Sequence, residues 1–295
     1  MRIFFCSMIF CFHPGFSQQK EVSITIDDVP NVEIYRRQGF SSVLLEQINT
    51  LNLPVAIFIN EKNVYKNEFT RENHSGLVTW LKNKNVTAGN HSYSHMNYAD
   101  TTLAAFQEDI VNGEVITRKT LKKSPAHFRF PFNSLGKDSA AHQQIKKFLL
   151  DKGYTVTPFT IESEDWSYNT KYEEALKDNN KEKALLIGKQ YISHTLLLFE
   201  HFEKLCRELY GRNIRHIYLC HDNQLNTDYL VELTTRLQQQ GYSFISLEDA
   251  LQDKVYQSND YYKGRFGFSW IYRWQPDEGK RKMLMRKEPM DEDLK

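Results

Sequence analysis

The chain has 295 residues, with 38 basic and 37 acidic side chains and a formal net charge of +1. That length builds one large core or at most two domains, and the charge balance argues against a nucleic-acid binder, which shows a basic excess or stripe. Aromatic residues make up 13% of the chain, including 16 Tyr and 4 Trp; most are expected to pack, and a sugar-stacking cleft is the functional alternative.

In chain order, Met1-Arg2, the apolar run from Ile3 to Phe12 and the small residues of Gly15-Phe16-Ser17-Gln18 read as a signal peptide. Cleavage near Ser17 or Gln18 sets residues 1–18 apart and predicts an exported protein, periplasmic or secreted. A buried first strand is the alternative reading. The run is too short to span a bilayer and no later one is long enough, so no membrane insertion is expected after cleavage. Cys6 and Cys11 leave with that segment, and Cys206 and Cys220 either bridge or stay as two buried thiols.

Val22 to Asp27 reads as a strand, Ser41 to Leu51 as a helix, and Val55 to Ile59 as a strand covered on both faces. A short helix over Gly76 to Lys84 and a strand at Val86-Thr87-Ala88 follow. One long helix is predicted from Thr101 to Lys123, with Thr101 as its cap. Then come a strand at His127 to Phe130 stopped by Pro131, a helix from Asp138 to Asp151, and a strand from Tyr154 to Thr160. Tyr172 to Tyr210 reads as a mostly helical insert broken around Gly188. Ile214 to Cys220, Asn226 to Gln240 and Tyr242 to Ser246 complete the pattern as strand, helix, strand. Past Lys254 an aromatic stretch gives way to a charged run over residues 275–295, expected to be a mobile tail.

Repeated strand–helix units predict a parallel sheet with helices outside. About seven of them, with candidate chemistry at strand ends, favour an α/β fold of the distorted parallel (β/α) barrel type, with a helical insertion before the last catalytic strand. The expected division is a catalytic domain over residues 20–254 and an extension over 255–295. No glycine-rich phosphate loop follows any strand, which removes a nucleotide-binding reading.

Two imidazoles four apart, His91 and His95 in Gly89-Asn90-His91-Ser92-Tyr93-Ser94-His95, fall on one face if the segment makes a helical turn. With ten histidines in the chain, such a pair alone is a weak signal. Asp27-Asp28 at the end of the first strand strengthens it. Two His and one carboxylate are a familiar catalytic-zinc ligand set with one position open, and the second carboxylate is then free to act as a base. Further groups sit after strands: Arg129 to Phe132, Asp165-Trp166, and Leu219-Cys220-His221. Each by itself reads as a turn, a strand end or a loop anchor; their joint order is far less expected by accident.

That order resembles the polysaccharide deacetylases of the NodB type, carbohydrate esterase family four, over roughly Val22 to Leu251. The motifs that carry the resemblance are Thr25-Ile26-Asp27-Asp28-Val29-Pro30, His91-Ser92-Tyr93-Ser94-His95, Arg129-Phe130-Pro131-Phe132-Asn133, Asp165-Trp166 and Leu219-Cys220-His221. Val29 and Asn133 stand where the family has glycine beside its cleft. The resemblance implies that Asp28, His91 and His95 bind one divalent metal, zinc by default, with cobalt, nickel or manganese able to substitute. It implies that Asp27 is the general base on metal-bound water, and that Arg129 pairs with Asp27 and lowers its pKa. His221 becomes the general acid, oriented and kept cationic by Asp165. A backbone N–H near Phe132 assists the oxyanion, and Trp166 and Leu219 line the acetyl pocket.

The expected activity is metal-dependent removal of N-acetyl groups from an amino-sugar polysaccharide or oligosaccharide, peptidoglycan- or chitin-like. An acetylated carbohydrate is therefore the expected partner, and no nucleic acid. An O-acetyl glycan esterase would use the same residues, and small-amide hydrolysis is open to barrels of this kind. A non-catalytic carbohydrate-binding module would be expected to lose Asp27 or His221, and both are present. The Tyr172 to Tyr210 helices either pack on the barrel or wall the cleft and restrict it to chain ends or short oligomers.

Overall fold

The computed structural model describes residues 19–291, so the proposed signal peptide lies outside the described residues. Eight strands form one sheet: β1 (Lys20–Val29), β2 (Val55–Ile59), β3 (Val86–Asn90), β4 (His127–Phe128), β5 (Thr155–Val156), β6 (Ile161–Glu162), β7 (Arg215–His221) and β8 (Tyr242–Phe244). Every pairing is parallel, and the order is β5-β4-β3-β2-β1-β7-β6. β8 pairs with Lys20–Val22 of β1, below the part of β1 that pairs with β2. The sheet curls into an incomplete (β/α) barrel whose ends, β5 and β6, share no ladder.

β2 is apolar on both faces because the barrel interior and the outer helices both cover it, whereas β1 alternates apolar Val22, Ile24 and Ile26 with the buried polar residues Ser23 and Thr25. All five residues of β2 are buried, and Val22, Ile24 and Ile26 of β1 are fully buried. Twelve helices surround the sheet or follow it: α1 (Val32–Arg37), α2 (Val43–Thr50), α3 (Thr70–Leu81), α4 (Leu103–Asn112), α5 (Val115–Leu121), α6 (Ser139–Asp151), α7 (Asp165–Lys177), α8 (Lys181–Tyr210), α9 (Gln224–Gln239), α10 (Leu247–Leu251), α11 (Trp270–Arg273) and α12 (Glu278–Met285). Several start on a side-chain oxygen that accepts a backbone N–H, as Ser42 does for α2 and Asp138 for α6.

Four expectations are corrected. The helix predicted from Thr101 to Lys123 is two helices, α4 and α5, and the cap is Thr102. The second starts afresh because the buried Glu61 carboxylate accepts from the N–H groups of Ile116 and Thr117, both at 2.7 Å. The strand expected from Tyr154 to Thr160 is interrupted at Pro158, which has no N–H for a ladder. The insert breaks at residues 178–180, and α8 runs unbroken through Gly188. That glycine marks a close approach: a Cβ there would lie 1.9 Å from Cζ of Tyr229 on α9. Finally, the charged run begins not as a tail but with α12, whose Arg281 and Leu284 are buried. Cys206 and Cys220 are both buried free thiols. No helix among the described residues is long and apolar enough to cross a membrane.

Candidate active site

The candidate residues meet at the carboxyl ends of the strands, in a cleft of about 870 Å³. Its lining includes Asp27, Asp28, His91, His95, Phe132, Trp166, Leu219 and His221. Arg129 and Asp165 lie behind it, each 0% exposed.

One corner holds Asp28, His91 and His95, whose ligand-capable atoms all lie within 4.8 Å of one another. Asp28 Oδ1 is 3.3 Å from Nε2 of His95 and 3.7 Å from Nε2 of His91. The spacing of the histidines does not work through a helical turn. Residues 91–95 form a loop, pinned by Asn60 Nδ2, which donates to the carbonyls of His91 (2.6 Å) and Ser92 (3.0 Å). Asp109 of α4 holds the other side by accepting from N and Oγ of Ser94. His91 Nδ1 lies 2.8 Å from the Arg129 carbonyl, which can only accept, so Nδ1 carries the proton and Nε2 turns a lone pair into the cluster. Burial, aided by His95, pushes His91 down to about 3, so its ring stays neutral.

These three donors fit a divalent cation. Asp28 Oδ1 is out of contact with solvent and has no hydrogen-bond partner. It faces two imidazole nitrogens, and converging lone pairs of this kind are compensated by a cation.

Next to the cluster, Asp27 is 2% exposed. Its Oδ1 accepts from Arg129 Nη1 at 2.8 Å, and its Oδ2 lies 3.6 Å from His91 Nε2. Arg129 is held in turn by Thr25 Oγ1 at 2.7 Å, the Pro158 carbonyl at 3.3 Å and the face of Phe58. The pairing with Arg129 was expected to lower the Asp27 pKa. Burial outweighs it, and the carboxyl sits above its ordinary value.

On the other side, His221 Nδ1 lies 2.7 Å from Asp165 Oδ1. The second oxygen of Asp165 accepts from the His221 backbone (2.9 Å), Asn223 Nδ2 (2.7 Å) and Asn226 Nδ2 (2.6 Å). Burial alone would raise the pKa of Asp165, but His221 and these N–H groups hold it below the ordinary value. For His221 burial alone would favour the neutral ring. Asp165, with Asp28 and Asp27 facing it, instead drives the pKa up to about 10. The arrangement thus presents a fixed carboxylate and an imidazolium on the two flanks of a three-ligand cluster.

Phe132 sits in a tight turn at φ 56° with its ring 4.6 Å from that of His95, and Phe132 and Trp166 are each 57% exposed. The two glycine departures have different outcomes. Asn133 keeps a left-handed backbone, φ 50°, which Asn tolerates better than most residues. Val29 needs no such conformation; it is fully buried in the core, outside the cleft.

The aromatic segment from Tyr261-Tyr262 to Trp270 reads in the sequence as either a stacking platform or a seal of the barrel, whereas Glu288 was missed. Gly267, Phe268, Ser269 and Glu288 line the cleft. A Cβ on Gly267 would lie 2.1 Å from the Phe132 carbonyl oxygen, so glycine lets this segment close on the Phe132 turn. Phe268 is held from behind by Arg273, which pairs with Asp260 at 2.8 Å. Asn223 and Asn226 were also missed; Asn223, two residues after His221, was the readable signal.

The profile of the family described as polysaccharide deacetylase matches residues 16–157. A curated relative, the peptidoglycan-N-acetylglucosamine deacetylase of Bacillus cereus, is 23% identical over 146 residues, 50% of this chain. The chain spans about half of that relative's length, 46%. Among solved structures, a chitin deacetylase from Colletotrichum lindemuthianum aligns at TM-score 0.56 and 19% identity, over 80% of this chain and 89% of the other. A family 4 acetyl xylan esterase from Clostridium thermocellum, in complex with a cobalt ion, aligns at 0.52 and 17%, over 79% and 90%. A CE4 family pseudoenzyme from Bacillus anthracis aligns at 0.54 and 18%, over 79% and 66%. At these identities the three structures establish the shared fold.

Proposed function

We propose, from the match of residues 16–157 to the polysaccharide deacetylase family, that the chain is a divalent-metal-dependent hydrolase removing N-acetyl groups from amino sugars of a peptidoglycan- or chitin-like glycan. One observation carries this reading: both ion pairs, Asp27–Arg129 and Asp165–His221, flank the Asp28, His91 and His95 cluster in a single cleft. A pseudoenzyme shares the fold, so the reading rests on these residues and not on the fold. The curated relative and the chitin deacetylase, each named for an N-acetyl amino-sugar polymer, support the substrate class.

Asp28, His91 and His95 hold the cation, zinc by default. When bound, such an ion polarises the acetyl carbonyl and lowers the pKa of water in the site. Asp27 takes the proton of the attacking water, and Arg129 keeps that carboxylate aimed and ionised against the pull of burial. His221 gives its proton to the departing nitrogen. Asp165 fixes the imidazole with Nδ1–H inward, so that Nε2 carries the transferable proton. The backbone turn at Phe132 stands beside the cluster, where a donor to the developing oxyanion is needed. Phe132, Trp166 and Leu219 enclose the small acetyl group.

Purified protein, loaded with zinc, is tested by acetate release from chitooligosaccharides, peptidoglycan and acetylxylan. Release from either amino-sugar polymer supports the proposal. Release from acetylxylan alone replaces it with the ester reading, and release from none refutes it.

A further inference from the structure

The long helix α8, which sequence reasoning treated as packing or as a cleft wall, reaches the catalytic pair through a buried chain of hydrogen bonds. Its Tyr191 is 0% exposed, and its hydroxyl donates to Asn226 Oδ1 on α9 at 2.7 Å. The amide of Asn226 donates from the other end, to Asp165 Oδ2 at 2.6 Å and to the His221 carbonyl at 2.9 Å. Behind Tyr191 the chain continues to the hydroxyl of Tyr218 on β7 (3.0 Å) and on to Ser163 Oγ (2.7 Å), both fully buried. Four polar side chains from separate parts of the fold, Asn226, Tyr191, Tyr218 and Ser163, thus end on the one carboxylate that orients His221. Burial keeps the Tyr191 phenol protonated, so it has a proton to give.

A buried tyrosine hydroxyl has a cost unless it is bonded. Phenylalanine would fill the same space and serve core packing alone. Asn226 has the complementary need. Its amide can be read in two orientations, and only the one with Oδ1 toward Tyr191 puts N–H on Asp165. The flipped amide would set an oxygen against the Asp165 carboxylate. The Asp165 carboxylate and the His221 carbonyl, which can only accept, select the first orientation, and the Tyr191 hydroxyl holds the amide in it by donating to Oδ1.

We infer that Tyr191 of α8 is a positioning residue for the proposed acid His221, acting through Asn226 and Asp165. The inference rests on the proposed hydrolase activity only where turnover is measured. Its structural part, control of the His221–Asp165 pair, stands apart from any substrate.

The test compares Tyr191→Phe with Thr195→Val in the full-length protein. Thr195 lies one turn along α8 and is 0% exposed, and its Oγ1 bonds the Tyr191 carbonyl at 2.7 Å, with no hydrogen bond to Asp165. Both variants lose one buried hydroxyl. Tyr191→Phe is expected to lower kcat roughly fivefold, the weight of one hydrogen bond, with KM unchanged. It is also expected to move the His221 titration, followed by the nitrogen resonances of its ring, to lower pH. The groups facing that ring are Asp165, Asp27, Asp28 and Glu162, and none is altered. Thr195→Val is expected to lower Tm and leave both readouts in place. Tyr218→Phe, which removes the next hydroxyl, should shift the titration in the same direction by less. If Tyr191→Phe behaves as Thr195→Val does, with only Tm lowered, the inference is overturned. If the wild type releases no acetate at all, the hydrolase reading falls while the titration still decides for or against the network.

Discussion

Asp165→Asn tests the acid half of the site with the least change in volume. The pKa of His221 stands at about 10 against an ordinary value of 6.5, a difference worth roughly 5 kcal/mol. Asp165, Asp28 and Asp27 share it, and Asp165 alone bonds the ring directly, so its part is about 2–4 kcal/mol. The sign follows from linkage. A raised pKa stabilises the fold fully below pH 6.5, and that gain is lost as pH rises toward 10. The lowered pKa of Asp165 adds stability above the ordinary 3.8, lost as pH falls below it. The variant should therefore be destabilised most between about pH 4 and 6.5, with the deficit shrinking at alkaline pH. Turnover should respond in the opposite sense. In the variant the alkaline limb moves down toward the ordinary histidine range, so the ratio of wild-type to variant kcat grows from pH 6 to pH 9. The loss at its largest should be about 10²–10⁴-fold, the usual weight of a general acid. Acetate release and urea melts across pH measure both. A variant within threefold of wild type, with an unmoved alkaline limb, would refute the assignment of His221 and Asp165.

The two adjacent carboxylates should separate cleanly. Asp27→Asn keeps the metal and loses about 10²-fold or more in kcat, whereas Asp28→Asn loses the metal; the reverse pattern in metal analysis would exchange their roles. The double variant His91→Ala/His95→Ala should hold no stoichiometric metal, and full retention would place the ion elsewhere. Stripping the metal with a chelator should lower Tm, since a ligand at a hundred times its Kd stabilises by about 2.7 kcal/mol; an unchanged Tm would argue against a site built from these residues. Gly188→Ala should cost about 1–3 kcal/mol in urea unfolding, because its Cβ would overlap Tyr229. A neutral substitution there would mean that α8 and α9 pack less closely than the structure shows.

What was legible in the sequence had a local signature. The apolar run of β2 and the alternation of strands with helices are such signatures, and they gave the parallel barrel; the one cap read from the sequence, Thr101, lies one residue before the observed cap Thr102. The residues of the site stand at or shortly past the carboxyl ends of strands, which made Asp27, Asp28, His91, His95, Arg129, Asp165 and His221 readable in order. The rest depends on contacts between distant segments. Glu61 restarting a helix at Val115 is a contact across 55 residues. The approach of Gly267 to Phe132 spans more than 130 positions, and nothing in the aromatic stretch around Gly267 names that partner. Burial also defeated a pairwise rule. An arginine beside Asp27 suggested a lowered pKa, but desolvation of a carboxyl that is 2% exposed is the larger effect.

The backbone around the cleft connects these two kinds of information. Ten described non-glycine residues have positive φ, and six of them, Asp28, Ser92, His95, Phe132, Asn133 and Glu164, lie in the cleft loops. Each such conformation costs of order 1 kcal/mol or more, and it persists where the surroundings over-determine it. Here the surroundings are named: Asn60 and Asp109 around the histidine loop, Asn63 on the Asp28 carbonyl, and the C-terminal segment over the Phe132 turn. The loops around this corner are therefore held by three separate parts of the chain: residues 60–63, Asp109 and the C-terminal segment. A backbone held this way also explains why the Gly-to-Asn departure at residue 133 leaves the site intact. The requirement at that position is a left-handed backbone, and asparagine meets it while placing a polar side chain on the lining of the cleft.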